Sequence, residues 1–162
     1  MTAPHEHEHR RLGWHPDEIR LDEPTRASRL RWVIAVDTAL PAGVAANAAA
    51  CLAASAGASV AGLLGPGGTD GDGAWHPGLP WAGCTVLGAT AAELAELRAR
   101  AHASDDVAVV DMPGSAQTNR VYADYLRELA GTPAERLDLR AVGVLGPRRT
   151  IDRLTKRLGL LA

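Results

Sequence analysis

The chain has 162 residues, enough for one domain with a single core, and its 46% apolar and 22% charged content sits near the averages for a soluble globular protein. That balance, with no internal period, excludes a disordered chain, a disulfide-stapled secreted mini-protein and a repeat array. The formal net charge of −2 makes no global case for a nucleic-acid binder, and Cys51 and Cys84 alone make no disulfide framework, which fits a reducing cytoplasm.

Residues 1–28 read as a polar, flexible N-terminal arm, either free or draped over the domain, in which Trp14 and Ile19 are the candidate anchors. The single domain is expected over residues 29–162. The β-branched run RWVIAVD at 31–37 predicts a buried strand. Pro41 then opens an Ala-rich helix over 41–56 that Gly57 closes. This helix is apolar on almost every side, so it is expected to be covered on more than one face, with Asn47 as its one strongly polar interior side chain. The uncharged stretch 42–65 is long enough to cross a bilayer, but alanine and glycine do not drive insertion, so no membrane span is expected. The first 31 residues carry six acids and six Arg without an apolar h-region, so no signal peptide is expected there.

Residues 60–64 predict a short strand, followed by a Gly/Asp turn and a hairpin-like excursion carrying Trp75 and Trp81. Residues 84–89 predict the next strand. Thr90 with Glu93 forms a capping box that starts a helix to about residue 102, with Leu94 and Leu97 on its core side. A strand at 107–110 ends in Asp111. A helix over 117–130, with Tyr122, Leu126 and Leu129 at helical spacing, is ended by Gly131. A last strand at 139–145 turns at Gly146-Pro147 into a helix over 149–158. Strands alternating with helices predict an α/β sandwich with a largely parallel or mixed sheet.

Two strands finish in an acid, Asp37 and Asp111. In open α/β sheets ligands collect beyond the carboxyl ends of strands, where a carboxylate can position water, accept a proton or bind a cation. The alternative is that each caps a turn through local hydrogen bonds. Asn47 lies one helical turn after Gly43 on the same face. Its amide serves either an internal network or a ligand. The segment Asp111-Met-Pro-Gly-Ser-Ala-Gln-Thr118 gathers polar groups between strand and helix. Backbone amides there can hold an anion, or Ser115, Gln117 and Thr118 are ordinary caps.

Other signals carry less. His5, His7 and His9 can gather a metal adventitiously but have no preorganised cage, so no metal site and no cofactor are expected. Asp70-Gly-Asp72-Gly73 lacks the distal Glu of a calcium loop, and no phosphate-cradling Gly-Lys-Ser/Thr or Gly-x-Ser-x-Gly elbow is present. The C-terminal end is locally basic, with Arg148 and Arg149 as the nucleic-acid candidates. A solvated cationic face is the simpler account, and nucleic acid is not the expected partner.

The segments RWVIAVDTALPAGVAANAAACLAA, TVLGATAAELAELRARA, VAVVDMPGSAQT and AVGVLGPRRTIDRLTKRLGLL resemble the family called Domain of Unknown Function number two thousand, over nearly everything from residue 30 onward. More distantly, their order is similar to peptidyl-tRNA hydrolases of the second, archaeal and eukaryotic type. That resemblance implies a three-layer α/β/α sandwich with a mixed, mostly parallel sheet of about four strands. It places Asn47 at the family's amide position and Asp111 at the Asp after the third strand. It also implies catalytic roles for Asp111, positioning water, and Thr118, polarising the carbonyl. The hydrolases carry Lys in the first turn, where this chain has Leu40-Pro-Ala-Gly-Val44, which argues against tRNA hydrolysis.

The expected function is therefore binding of a small polar ligand near strand ends by Asp37, Gly43, Asn47 and Gln117, in a cytoplasmic, self-associating protein. The alternatives are an ester hydrolase of the peptidyl-tRNA type and a non-catalytic homo-oligomeric interaction module.

Overall fold

The apolar run after Arg29 forms β1 (Leu30–Asp37), whose residues alternate between two cores. Leu30, Trp32, Ile34 and Val36 point to one face of the sheet and Val33 and Ala35 to the other. The computed structural model describes residues 12–161. In chain order the remaining elements are α1 (Ala42–Ser59), the hairpin strands β2 (Gly68–Thr69) and β3 (Trp75–His76), β4 (Thr85–Ala89), α2 (Ala91–His102), β5 (Ala108–Pro113), α3 (Ser115–Thr118), α4 (Tyr122–Ala130), β6 (Leu139–Pro147), α5 (Arg148–Thr155) and β7 (Gly159–Leu160).

The main sheet has five strands in the order β5-β6-β1-β4-β7, with α1 on one face and α2 and α5 on the other. Only β1 and β4 are parallel neighbours, in register from Val33 opposite Thr85 to Asp37 opposite Ala89. The other three pairings are antiparallel. The expectation of four mostly parallel strands is corrected on both counts. The helical crossovers through α1 and α2 do run β1, β4 and β5 in one direction, as such connections require. However, the chain returns from β5 through α3 and α4 and inserts β6, reversed, between β5 and β1. The two-residue β7, too short to read in sequence, pairs Leu87 with Leu160 at the far edge.

Four local expectations are also corrected. Gly57 lies inside α1, which runs on to Ser59 because open space surrounds that glycine and nothing forces a break. Residues 60–64 form no strand; Ala61 bridges Gly13 and Leu64 bridges Pro80 singly. The helix expected over 117–130 is two helices, because Asn119 turns extended and its Nδ2 donates to the Ser115 carbonyl and to Glu128 Oε2. Finally, α1 buries a single line, Ala45, Ala48, Leu52 and Ala56, and leaves Ala46, Ala50 and Ala54 exposed. Alanine removes so little apolar area from water that an apolar helix need not be covered all round. By length and composition α1 also matches a membrane span, with a mean hydropathy of 1.3, yet its large side chain Leu52 is seated on the sheet.

The second core is built as the sequence predicts. Thr90 and Glu93 form the reciprocal capping box of α2, and Leu94, Leu97 and Ala101 are buried against β1 and β6. The segment before β1 is held to the first core by Trp14, which is 4% exposed, and by the partly buried Ile19. Trp14 meets Trp81 edge-on, with ring centroids 5.4 Å apart. The excursion is a hairpin as expected; Trp75 stands exposed on it, and Trp81 Nε1 donates to the Gly62 carbonyl at 2.8 Å.

Candidate functional site

β1, β4 and β5 end at the same side of the sheet, so Asp37, the first turn of α1 and the Gly114–Thr118 segment share that end. α1 begins after Pro41 without a side-chain cap. Gly43 is exposed there with open space where a Cβ would be. Asn47, one turn on, is exposed rather than buried, correcting the expectation of an interior amide. It is nonetheless paired. Gln117 reaches across from α3, and its Nε2 donates to the Val44 carbonyl at 3.1 Å and to Asn47 Oδ1 at 3.0 Å.

This relay fixes both amides. The Val44 carbonyl accepts only, so the nitrogen of Gln117 must face it, and Asn47 must then present its oxygen. Both protons of Gln117 are used. Its Oε1 is buried without a partner, and Asn47 Nδ2 has none among the described residues. A buried acceptor without a donor and a solvent-facing amide donor thus stand at one end of α1.

The other candidate residues are placed differently. Asp37 is buried, and its Oδ1 accepts the Ala39 amide at 2.9 Å, so it caps the turn into α1. Asp111 does not join Asn47. Residues alternate along β5, so Val110 and Met112 face α1, whereas Val109 and Asp111 face α2. There Asp111 Oδ2 accepts Arg98 Nε at 2.5 Å and lies 4.0 Å from His102 Nε2. Burial, with the nearby Tyr122 and Asp111, raises the Tyr125 phenol above its ordinary range. Thr118 Oγ1 turns back to the Gly114 carbonyl at 3.3 Å. The backbone amide of Gly114 is likewise taken, by the Asp138 carbonyl at 2.6 Å, and α3 is a single turn. The Gln117 and Thr118 amides are also engaged, both by the Gly114 carbonyl.

Arg98 escaped the sequence reading although its position gave it away: it shares the core side of α2 with Leu94, Leu97 and Ala101. Arg140 gave no such signal. It is the extra residue where the β5–β6 register shifts, so that Met112 opposes Ala141 and Pro113 opposes Leu139. Its guanidinium lies against Gly114 and pairs with Asp138 at 3.0 Å. Arg148 donates to the Ser28 and Thr25 carbonyls, tying the N-terminal segment down, while Arg149 is exposed. Among the described residues no three His, Cys, Asp or Glu side chains gather to hold a metal ion. His5, His7 and His9 lie outside the described residues.

A family model described as "Protein of unknown function (DUF2000)" matches residues 30–162. The chain belongs to that family. A solved structure, of the protein of unknown function Atu0240 from Agrobacterium tumefaciens strain C58, is similar with a TM-score of 0.77 at 16% identity. The match covers 83% of this DUF2000 chain and 98% of that one, and it shows a shared fold. No curated protein matches. The DUF2000 region begins at the first residue of β1, so the Trp14 anchor lies outside it.

Proposed function

We propose that this DUF2000 chain binds a small polar ligand at the first turns of α1, through Asn47 and Gln117 with Gly43 leaving the approach open. The Gln117 side chain carries the reading: both its protons are committed within the protein while its buried Oε1 has no donor. An orphaned buried acceptor costs about 1–3 kcal/mol, and a ligand or a water that donates to it removes that cost. With Asn47 Nδ2 open alongside, the complementary ligand carries a donor and an acceptor side by side, as amides, hydroxy acids and amino acids do.

Asp111 is not part of this reading. Its carboxylate is engaged by Arg98 on the α2 face, and no hydrogen bond joins it to Thr118. That separation supports ligand binding over ester cleavage of the peptidyl-tRNA type.

The test is a titration of ¹⁵N-labelled protein with a panel of small amides, hydroxy acids and amino acids. The expected result is shifts centred on Gly43, Asn47 and Gln117 for at least one compound, weakened roughly tenfold or more by Asn47→Ala and by Gln117→Ala, as the loss of one or two hydrogen bonds requires. Asp111→Asn is expected to leave that affinity unchanged. Shifts that centre on Asp111, or binding indifferent to both amide variants, would overturn the proposal.

A further inference from the structure

We infer that the outer face of α5 is a docking surface for the phosphate backbone of a nucleic acid. The net charge of −2 conceals an uneven distribution of charge along the chain. Arg149 and Arg153 lie one turn apart on the outer side of α5, Lys156, its C-cap residue in the helical conformation, continues that spacing, and Arg157 lies in the turn that follows. All four are exposed, and none has a carboxylate partner among the described residues. The opposite side, Ile151, Leu154 and Thr155, is buried on the sheet, which fixes the helix and aims the cations outward. Arg149 and Arg153 stand about 6 Å apart along the axis, and Lys156 lies about 10 Å from Arg149. The array is therefore a short, preorganised row of charge.

Neighbouring acids are already occupied. Asp152 is paired with Arg31, and Asp106 accepts the Thr150 hydroxyl at the start of α5. On the adjacent α2, Glu93 is engaged by Thr90 and Glu96 by Arg100. Asp106 and Glu93, bonded to neutral donors, keep their charge, but no carboxylate among the described residues forms an ion pair with the row. A nucleic-acid strand fits it better than a bilayer, because the apolar side of α5 is committed to the core and offers nothing to insert. With no aromatic side chain on the helix and no base-reading amide, recognition is of phosphates and independent of sequence.

The experiment is fluorescence anisotropy of the full chain with labelled single-stranded RNA and duplex RNA of equal length, over a salt series. Vesicles of phosphatidylserine and phosphatidylcholine serve as a separate arm. Binding is expected at low salt, with a log–log salt slope of magnitude at most about 3.6 for a duplex or 2.8 for a single strand, the limits for four phosphate contacts. The double variant Arg149→Gln/Arg153→Gln is expected to bind roughly tenfold or more weakly and to lose about half of the slope. Arg136→Gln, at an exposed arginine outside α5, is expected to bind as the parent does. No binding at low salt, unchanged binding by the double variant with its thermal midpoint preserved, or capture by the vesicles but by neither RNA would each overturn the inference.

Discussion

Gly43 and Gly114 stand at the same end of the sheet in opposite circumstances. At Gly43 a Cβ would meet nothing within 4 Å, and the residue is already helical, so no packing demand explains the glycine. Gly43→Ala is expected to raise stability by about 0.5–1 kcal/mol, because alanine loses less backbone entropy in a helix. At Gly114 a Cβ would lie 2.7 Å from Asp138 Oδ2 and 2.9 Å from Arg140 Nε. Gly114→Ala must therefore push the bulged guanidinium off its seat, at an expected cost of about 1–3 kcal/mol. Urea denaturation of the two variants checks both signs. A ligand-binding loss in Gly43→Ala with raised stability would mark the open approach as functional space. Asp111 teaches the complementary lesson about single residues. That it ends an apolar run was plain, but its face follows only from the β5 register, and its partner Arg98 comes from a separate helix.

Among the elements, the segment before β1 is the one whose polar composition hides its role. Trp14 Nε1 donates to Ser28 Oγ, and its backbone amide donates to the Ala61 carbonyl, both at 2.9 Å. Glu18 then clamps the turn, accepting Arg29 Nε at 2.6 Å, Arg29 Nη2 at 2.9 Å and the His15 amide at 2.9 Å. The Arg29 guanidinium, followed by the His15 amide, lowers the Glu18 carboxyl to about 2 from an ordinary 4.5. A lowered acid contributes fully above its unfolded pKa and loses its contribution as pH falls through the folded one. The clamp is therefore expected to hold unchanged from neutrality to about 4.5, and to release between there and about 2. Carboxylate NMR of Glu18 and the indole N–H resonance of Trp14 follow the two ends of that event. Titration near 4.5 in the parent, or an acid-range change of the Trp14 signal that persists in Glu18→Gln, would show that no clamp exists. The Trp14 and Ile19 anchors were readable as isolated apolar residues in a polar stretch. α4 shows the limit of that logic. Its spacing of Tyr122, Leu126 and Leu129 identifies an apolar side, but the helix buries no residue and its main packing partner among the described residues is the single-turn α3. Periodicity says which side is apolar, not that anything covers it.

At the scale of the molecule, β1 and β6 stand at the centre and serve both cores, because alternate residues of each face α1 on one side and α2 with α5 on the other. Nearly every strand and helix of this arrangement was visible as a local pattern, since burial on two faces leaves continuous apolar runs. The order of the strands was not, because β6 carries the same kind of apolar run whether it lies beside β1 in parallel or between β1 and β5 reversed. That placement in turn decides that Asp111 and Asn47 lie on opposite faces, so the candidate site could not be assembled from spacing alone. The shared central strands also have an energetic consequence. Leu52 of α1 is 2% exposed in the first core and Leu94 of α2 is fully buried in the second. Truncating either to alanine is expected to cost about 2–5 kcal/mol. The two belong to different core clusters, so the double variant should lose the sum of the two costs to within about 0.5 kcal/mol. Because both clusters rest on β1 and β6, neither layer has a sheet of its own to survive on, and each variant should still unfold in one transition with coincident fluorescence and circular dichroism midpoints. A Leu94→Ala variant in which tryptophan fluorescence, reporting the Trp14, Trp32 and Trp81 core, outlasts the far-ultraviolet signal would show instead that the α1 layer and its N-terminal segment form a separate cooperative unit.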